Sequence, residues 1–584
     1  MASGDCCAAI LGILAVTIPR PKFLTRYSIM DLQRLFLFLI FSFSLVLIWD
    51  GWQRYQHPER FVQENVRANK DLPMPQASNL PSASQLTNLD PTSGIIGQQP
   101  VNRPAGKTML VRTDILEAEI SSVGGDISRL SLLKHPDGQD KSKPLVLFHR
   151  GEGTHNYVAQ SGLLGNGLPN HNSQFVSEHD RYELSEGSNQ LQVRLKASDE
   201  STLRATKVIT FHRGSYLVDI TYELENTSKH AVTASSYFQL VRNSVPPQGS
   251  SMFLPTFTGA AVYTDKEKFK KIDFLSIEKD KAEYPKLADD GWIGILQHYF
   301  VAAWLPKDKI NREYFTRKLE GDAYSVGVIL PLQTLDAGQR AVVSTSLYAG
   351  PAQVNLDQIA PGLGLTVDYG WLTIISTPLF WVMTLFHDWT LNWGVAIILL
   401  TVLIKLLFFP LSAASYRSMA KMRVVAPKLE KIKQQYSDDR EQLNRAMMDL
   451  YKNERINPLG GCLPVLVQIP VFIALYWAIL ASVELRYAPF FGWITDLSAA
   501  DPYYILPLIM GASMIVQMRL NPKPPDPLQA KVMQIMPIVF SVMFFFFPSG
   551  LVLYSIVNNV LSIGQQWFIT RAAEIESKSD AAKR

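Results

Sequence analysis

Residues 389–416 read WTLNWGVAIILLTVLIKLLFFPLSAASY, 28 positions with a single charge, Lys405. A helix of about 20 apolar residues covers the ~30 Å hydrocarbon core of a bilayer, so this stretch predicts a membrane span. Towards the C-terminus, residues 456–483 carry no charge in 28 positions and residues 502–518 none in 17. Residues 532–570 are uncharged for 39 positions and are interrupted by Pro548, Ser549 and Gly550. One helix of that length would overshoot a bilayer, so two spans joined by a tight hairpin are predicted. Towards the N-terminus, residues 35–49 lie between Arg34 and Asp50. No small-x-small cleavage site follows them, which favours an uncleaved anchor over a signal peptide. The predicted spans are 32–52, 389–411, 459–483, 502–518, 532–547 and 551–570. That makes six.

The loops orient them. Residues 412–461 carry ten Lys/Arg against six Asp/Glu, and residues 519–531 carry Arg519, Lys523 and Lys531 against Asp526. Residues 484–501 carry one Arg against three acids. Positive loops stay in the cytoplasm, so both termini are predicted inside and residues 50–370 outside. The outside segment opens with a linker, 53–107, rich in Pro, Gln, Asn and Ser. From 108 to 350 apolar and polar residues alternate in short stretches, such as 190–196, 207–211, 216–225 and 341–348. Turns at Gly124-Gly125, His212-Arg213-Gly214 and Glu225-Asn226 separate them, which predicts an all-β sandwich. Residues 1–31 hold an apolar patch too short to span. Met30 begins a stretch resembling a bacterial membrane-protein start, which favours a misassigned start codon.

Composition narrows the function. A net charge of +4 over 584 residues does not argue for nucleic acid. The three cysteines, Cys6, Cys7 and Cys462, lie outside the β-rich segment, so no disulfide frames it. No zinc spacing, nucleotide loop, H-E-x-x-H or G-x-S-x-G occurs. No metal, cofactor or catalytic residue is assigned, and the outside segment reads as a scaffold rather than an enzyme.

Inside, residues 413–436 and 439–455 have helical apolar spacing: Met419, Met422, Val425 and Leu429 on one, Leu443, Met447, Leu450 and Tyr451 on the other. Ser437, Asp438 and Asp439 turn between them, giving a cytoplasmic αα-hairpin over 412–458. Met419, Lys421, Met422 and Arg423 form a basic, methionine-bearing surface suited to partners or anionic phospholipids. The same residues also suit an ordinary positive loop that happens to be helical.

Lys405 is the sharper feature. A charge within a span costs several kcal/mol unless hydrated or paired, and none of the six runs holds an acid. Snorkelling towards the cytoplasmic face is the plain reading; a water-filled cavity that needs a cation is the functional one. Thr401, Gln468, Tyr554, Ser555 and Asn558 supply a polar wall for such a cavity, with Gln534, Asn559, Ser562, Gln565 and Gln566 as further polar residues in the last spans. Lone polar residues in membrane helices also bond neighbouring helices.

Several stretches together resemble the YidC/Oxa/Alb family of membrane protein insertases. They are Asn392-Trp393-Gly394, the charge at 405 before Pro410-Leu411, and Ser418-Met419-Ala420-Lys421-Met422. The others are Asn457 to Cys462, Asp501 to Pro507, and Phe547 to Tyr554. The layout of anchor, large outside domain and five further spans resembles the Gram-negative form. The resemblance implies a polytopic α-helical membrane protein: six transmembrane helices with a five-helix insertase core, a periplasmic β-supersandwich like sugar-mutarotase domains, and the cytoplasmic hairpin. It implies an amphipathic helix near 371–386 within a connector, 351–388. It also implies a groove open to cytoplasm and lipid whose usual arginine is here Lys405, and Ser555 where some relatives carry a second tyrosine. The implied partners are nascent membrane proteins, the Sec translocon with its accessory subunits, and the ribosome and signal-recognition-particle pathway. The alternative class is a transporter or channel for a small anionic solute, but the internal repeats common in such proteins do not appear.

Overall fold

The computed structural model describes residues 106–583 apart from 139, 152–154, 166, 199–201, 248–256, 308, 332–333, 437–438, 455–462 and 522–526. The N-terminal segment, the anchor, nearly all of the linker, the 437–438 turn and the Asn457–Cys462 motif lie outside the described residues.

The strand Leu217–Asn226 shows why the first half is a sandwich. Its residues alternate strictly, with Val218, Ile220, Tyr222 and Leu224 buried, while Asp219, Thr221, Glu223 and Glu225 point outward. It pairs antiparallel with Leu203–His212 and Arg340–Pro351 near the middle of a nine-stranded sheet. A ten-stranded sheet, with Ser235–Arg242 and Tyr157–Leu164 side by side in its interior, faces it. Phe238 and Leu240 from one sheet and Trp304, Val218 and Ile220 from the other share one apolar core, each large side chain contributing about 1.5–3 kcal/mol of burial. Gly124 and Gly125 both take positive φ, 78° and 58°, and make the predicted turn. The expected turn at Glu225-Asn226 is corrected. Asn226 ends the strand with its side chain buried, donating to the His230 and Leu335 carbonyls at 2.8 Å each, so the chain reverses after it.

Among the described residues eight α-helices follow the sheets: α1 Thr373–Thr390, α2 Trp393–Leu407, α3 Phe409–Gln435, α4 Arg440–Asn453, α5 Leu463–Ala481, α6 Ile505–Arg519, α7 Pro527–Phe544 and α8 Ser549–Lys583. The expectation of one unbroken span over 389–411 is corrected. Residues 389–390 close α1, Leu391 takes a left-handed φ of 55°, and Asn392 caps α2 by accepting from the Val395 amide at 3.1 Å. At the other end Phe408 leaves helical geometry and α3 sets off at 66° to α2. Pro410 explains the break, because it has no N–H for the Leu406 carbonyl and its ring crowds that group. At 15 residues α2 is about 22 Å long. Among the described residues no single helix is long and apolar enough to cross a membrane, whereas α2 and α3 together meet that test as a bent pair.

The quoted motifs build the joints of the helical part. Gly394 lets Phe490 lie flat against α2, since a Cβ there would stand 2.1 Å from the Phe490 ring. Trp393 stacks on His387 at 4.1 Å. Asp501 caps α6, accepting from the amides of Tyr503 and Leu506 at 3.0 and 2.7 Å and from the Trp493 indole at 3.0 Å. Ser549 and Gly550 anchor the start of α8 on the carbonyls of Ala499 and Leu497 at 2.7 and 2.9 Å.

The sandwich rests on this end of the helices. The His298 ring meets the Leu480 carbonyl at 2.9 Å, and the Tyr487 hydroxyl donates to the Asp137 carbonyl at 2.9 Å. The Arg486 guanidinium lies over the rings of Tyr299, Phe300 and Tyr487. Burial pushes His298 down to about 4; burial, with the Arg486 and Lys134 charges, does the same to His135.

Candidate functional site

The polar residues of α8 divide by face. Tyr554, Asn558 and Ser562 recur every four positions, so they stack on one side of the helix over about 12 Å. Opposite them stand Lys405 of α2 and Gln468 of α5. The Lys405 ammonium donates to Ser562 Oγ at 2.7 Å, and the Ser562 hydroxyl donates to the Asn558 carbonyl at 2.6 Å. The Gln468 amide donates to the Tyr554 hydroxyl at 3.4 Å and also to Asn558 Oδ1. A small cavity adjoins this set, lined by Lys405, Gln468, Phe408, Leu411, Ser412 and their neighbours. The break at Phe408 opens it, because α3 leaves the axis of α2 there.

Lys405 is buried, with 7% of its surface exposed. Among the described residues no carboxylate lies within ion-pair distance of its ammonium, so the charge is met by a neutral hydroxyl and by the cavity. Ser562 lies 13 residues into α8, about 20 Å from the end that holds the sandwich. Between the cavity and that end, Tyr554, Phe472, Phe544, Phe547 and Tyr476 form a chain of ring contacts, with centroids 5.3–6.3 Å apart. The polar end and the aromatic end of the site therefore face opposite sides of the helical part.

Other expected wall residues are placed differently. Thr401 is fully buried and its hydroxyl donates to the Ile397 carbonyl of its own helix at 2.7 Å; Ser555 does the same to Leu551 at 2.9 Å. Asn559 and Gln566 turn towards α6, bonding Ser513 and the Leu520 carbonyl. They tie helices together, as lone polar groups in apolar surroundings do. Ser562 is the residue that four-residue spacing from Tyr554 and Asn558 singles out.

On the hairpin, Met419 packs against Ala413, Tyr416 and Ile569. Lys421 is exposed, while Met422 and Arg423 are half-buried. Val425 of α3 and Met447 of α4 are buried, and Lys428 pairs with Glu454 across the two helices at 2.7 Å.

Comparison with known proteins follows this division. Residues 108–382 match the family model described as YidC periplasmic domain, and residues 385–578 match the one described as 60Kd inner membrane protein. A relative named membrane protein insertase YidC, from Nitrosospira multiformis, is 54% identical over 93% of this chain and 98% of its own length. One of the same name from Aromatoleum aromaticum is 51% identical over 95% of this chain and 100% of its own. A solved structure titled as an active YidC insertase is 19% identical and covers 79% of this chain and 92% of that one, with a TM-score of 0.38.

Proposed function

Because the chain belongs to the YidC family of bacterial inner-membrane protein insertases, we propose that it integrates nascent proteins by drawing their polar tails into the cavity beside Lys405. The charge pattern of the loops supports six spans with both termini cytoplasmic, the sandwich periplasmic and the α3–α4 hairpin inside. In that orientation the cavity lies on the cytoplasmic side and the aromatic contacts lie between it and the periplasm. A tail entering from the cytoplasm meets the ammonium part-way across, where less hydrocarbon remains to be crossed. The client's apolar segment then leaves between α5 and α7 into lipid, and burial in hydrocarbon completes the transfer. The work is binding and partition; no catalytic residue takes part. The basic face of the hairpin, with Lys421 and Arg423, suits the ribosome and signal-recognition-particle pathway, the Sec translocon or anionic phospholipids as partners.

One observation carries this reading: a buried cation beside a cavity, held by a neutral hydroxyl. At about 4 Å and an effective dielectric near 20, attraction between an ammonium and a carboxylate amounts to ~4 kcal/mol, ample for selecting acidic tails. Lys405→Arg keeps the charge and retains activity. Lys405→Ala lowers insertion of a client with an acidic translocated tail by about tenfold, the equivalent of ~1.4 kcal/mol, and spares a neutral tail. Lys405→Glu is worse through repulsion. Protein levels stay near wild type, because Ser562 keeps its bond to Asn558. Protease protection of one client bearing either tail measures this; equal insertion of both tails by the Ala and Glu variants would mean that Lys405 only snorkels.

A further inference from the structure

We propose that Ser562 is a positioning residue that holds the Lys405 ammonium in the cavity, where the donors it leaves free meet the carboxylate of a client's tail. This rests on the groove reading above and names what sets its tail chemistry. Four features carry it. The contact is short, 2.7 Å, and Ser562 is 3% exposed, so the serine sits inside the site rather than at its rim. Its hydroxyl donates to the Asn558 carbonyl at 2.6 Å and also bonds the Tyr416 side chain. Only lone pairs therefore face the lysine, and the serine can receive a donor there but has no proton to offer an arriving carboxylate. An ammonium has three donors and Ser562 occupies one, which leaves two on a lysine that lines the cavity. Finally, the holder is neutral. A carboxylate makes the stronger charge-assisted bond to the donors left free, whereas an amide or hydroxyl tail has no such advantage. An aspartate in the serine's place would reverse this and hold the cation permanently.

The test uses the full chain in membranes, with one client bearing an acidic or a neutral tail. Ser562→Ala lowers acidic-tail insertion by about fivefold, as expected for loss of one hydrogen bond of typical net strength, and leaves neutral-tail insertion unchanged. Ser562→Thr keeps the hydroxyl and stays close to wild type. Ser562→Asp reduces acidic-tail insertion to the level of Lys405→Ala. Adding Ser562→Ala to Lys405→Ala causes no further loss. Equal loss of both tails in Ser562→Ala, or wild-type insertion of the acidic tail by both the Ala and Asp variants while Lys405→Ala fails, overturns the proposal. A measurement without client separates it from the groove reading: mass spectrometry of the Lys405 peptide after brief treatment with an amine-acylating reagent. Freed from its holder, Lys405 is acylated faster in Ser562→Ala and at the wild-type rate in Ser562→Thr. An unchanged rate in Ser562→Ala overturns the proposal whatever the clients do. Tail-blind insertion by Lys405→Ala overturns the groove reading instead.

Discussion

At the scale of single residues, the family's short motifs are packing and capping devices whose purpose is visible only once their partners are known. An amide before an apolar run caps a helix well, yet Asn392 entered only through the resemblance and the span was drawn from 389. Gly394 was quoted for its resemblance, yet its reason is the Phe490 ring, 96 positions later in the chain. Such a contact leaves no periodic trace. Gly394→Ala should therefore destabilise the chain by about 1–3 kcal/mol through overpacking, and Phe490→Ala in the same chain should return part of that loss. Thermal unfolding of the detergent-solubilised protein measures both; a Gly394→Ala variant as stable as wild type would mean that Phe490 has room to move. The polar residues of α8 teach a related lesson. Composition put Ser555 and Asn558 on one wall with Thr401 of α2, and Ser562 only among further polar residues, but a serine or threonine in a helix can also bond the carbonyl four residues back. Thr401 and Ser555 do only that, whereas Ser562 does it and also receives Lys405.

At the scale of elements, apolar runs marked where helices lie, and the limits of those runs did not mark where helices bend. The stretch around Lys405 looked continuous because no other charge interrupts it, although Leu391 and Phe408 both break it. Pro410 was the available signal for the second break; the 66° angle depends on what α3 packs against, which is non-local. Strands were legible by alternation, as in Leu217–Asn226, but their order in two sheets was not, because neighbours such as Leu217–Asn226 and Arg340–Pro351 are far apart in sequence. The junction between sandwich and helices was likewise hidden. It carries a pH dependence of its own. His298 and His135 are held near 4 when folded and return to about 6.5 when unfolded. Between pH 6.5 and 4 the unfolded chain therefore binds more protons, so stability is complete above that window and falls as pH drops through it. At pH 5 the loss is at most about 2 kcal/mol for His298, and less for the more exposed His135 because solvent screens it. The melting temperature of the full chain at pH 7 and pH 5 reads this, and His298→Gln should shrink the difference. An unchanged difference would place the acid sensitivity elsewhere.

At the scale of the whole molecule, one side of the helical part carries the sandwich and an aromatic closure, and the other opens a polar cavity around one cation. In the proposed reading this asymmetry suits an insertase groove, whereas a solute transporter opens its binding site to both sides in turn. A β-rich first part was readable from alternation, and a helical second part with its charged position from long apolar runs that exclude charges. A cavity was one of two readings of Lys405, but its actual walls were not legible, because they arise from a bend and a serine that only packing brings together. The most direct test follows a client's tail during insertion. Photo-activatable cross-linking residues are placed at Leu411 and Val467, which line the cavity, and at Phe568, an exposed position of α8. The account predicts that an acidic tail is captured from 411 and 467, not from 568, and that capture drops sharply when Lys405→Glu is added. Capture from 568 alone, or undiminished capture at 411 and 467 in the Lys405→Glu chain, would contradict it.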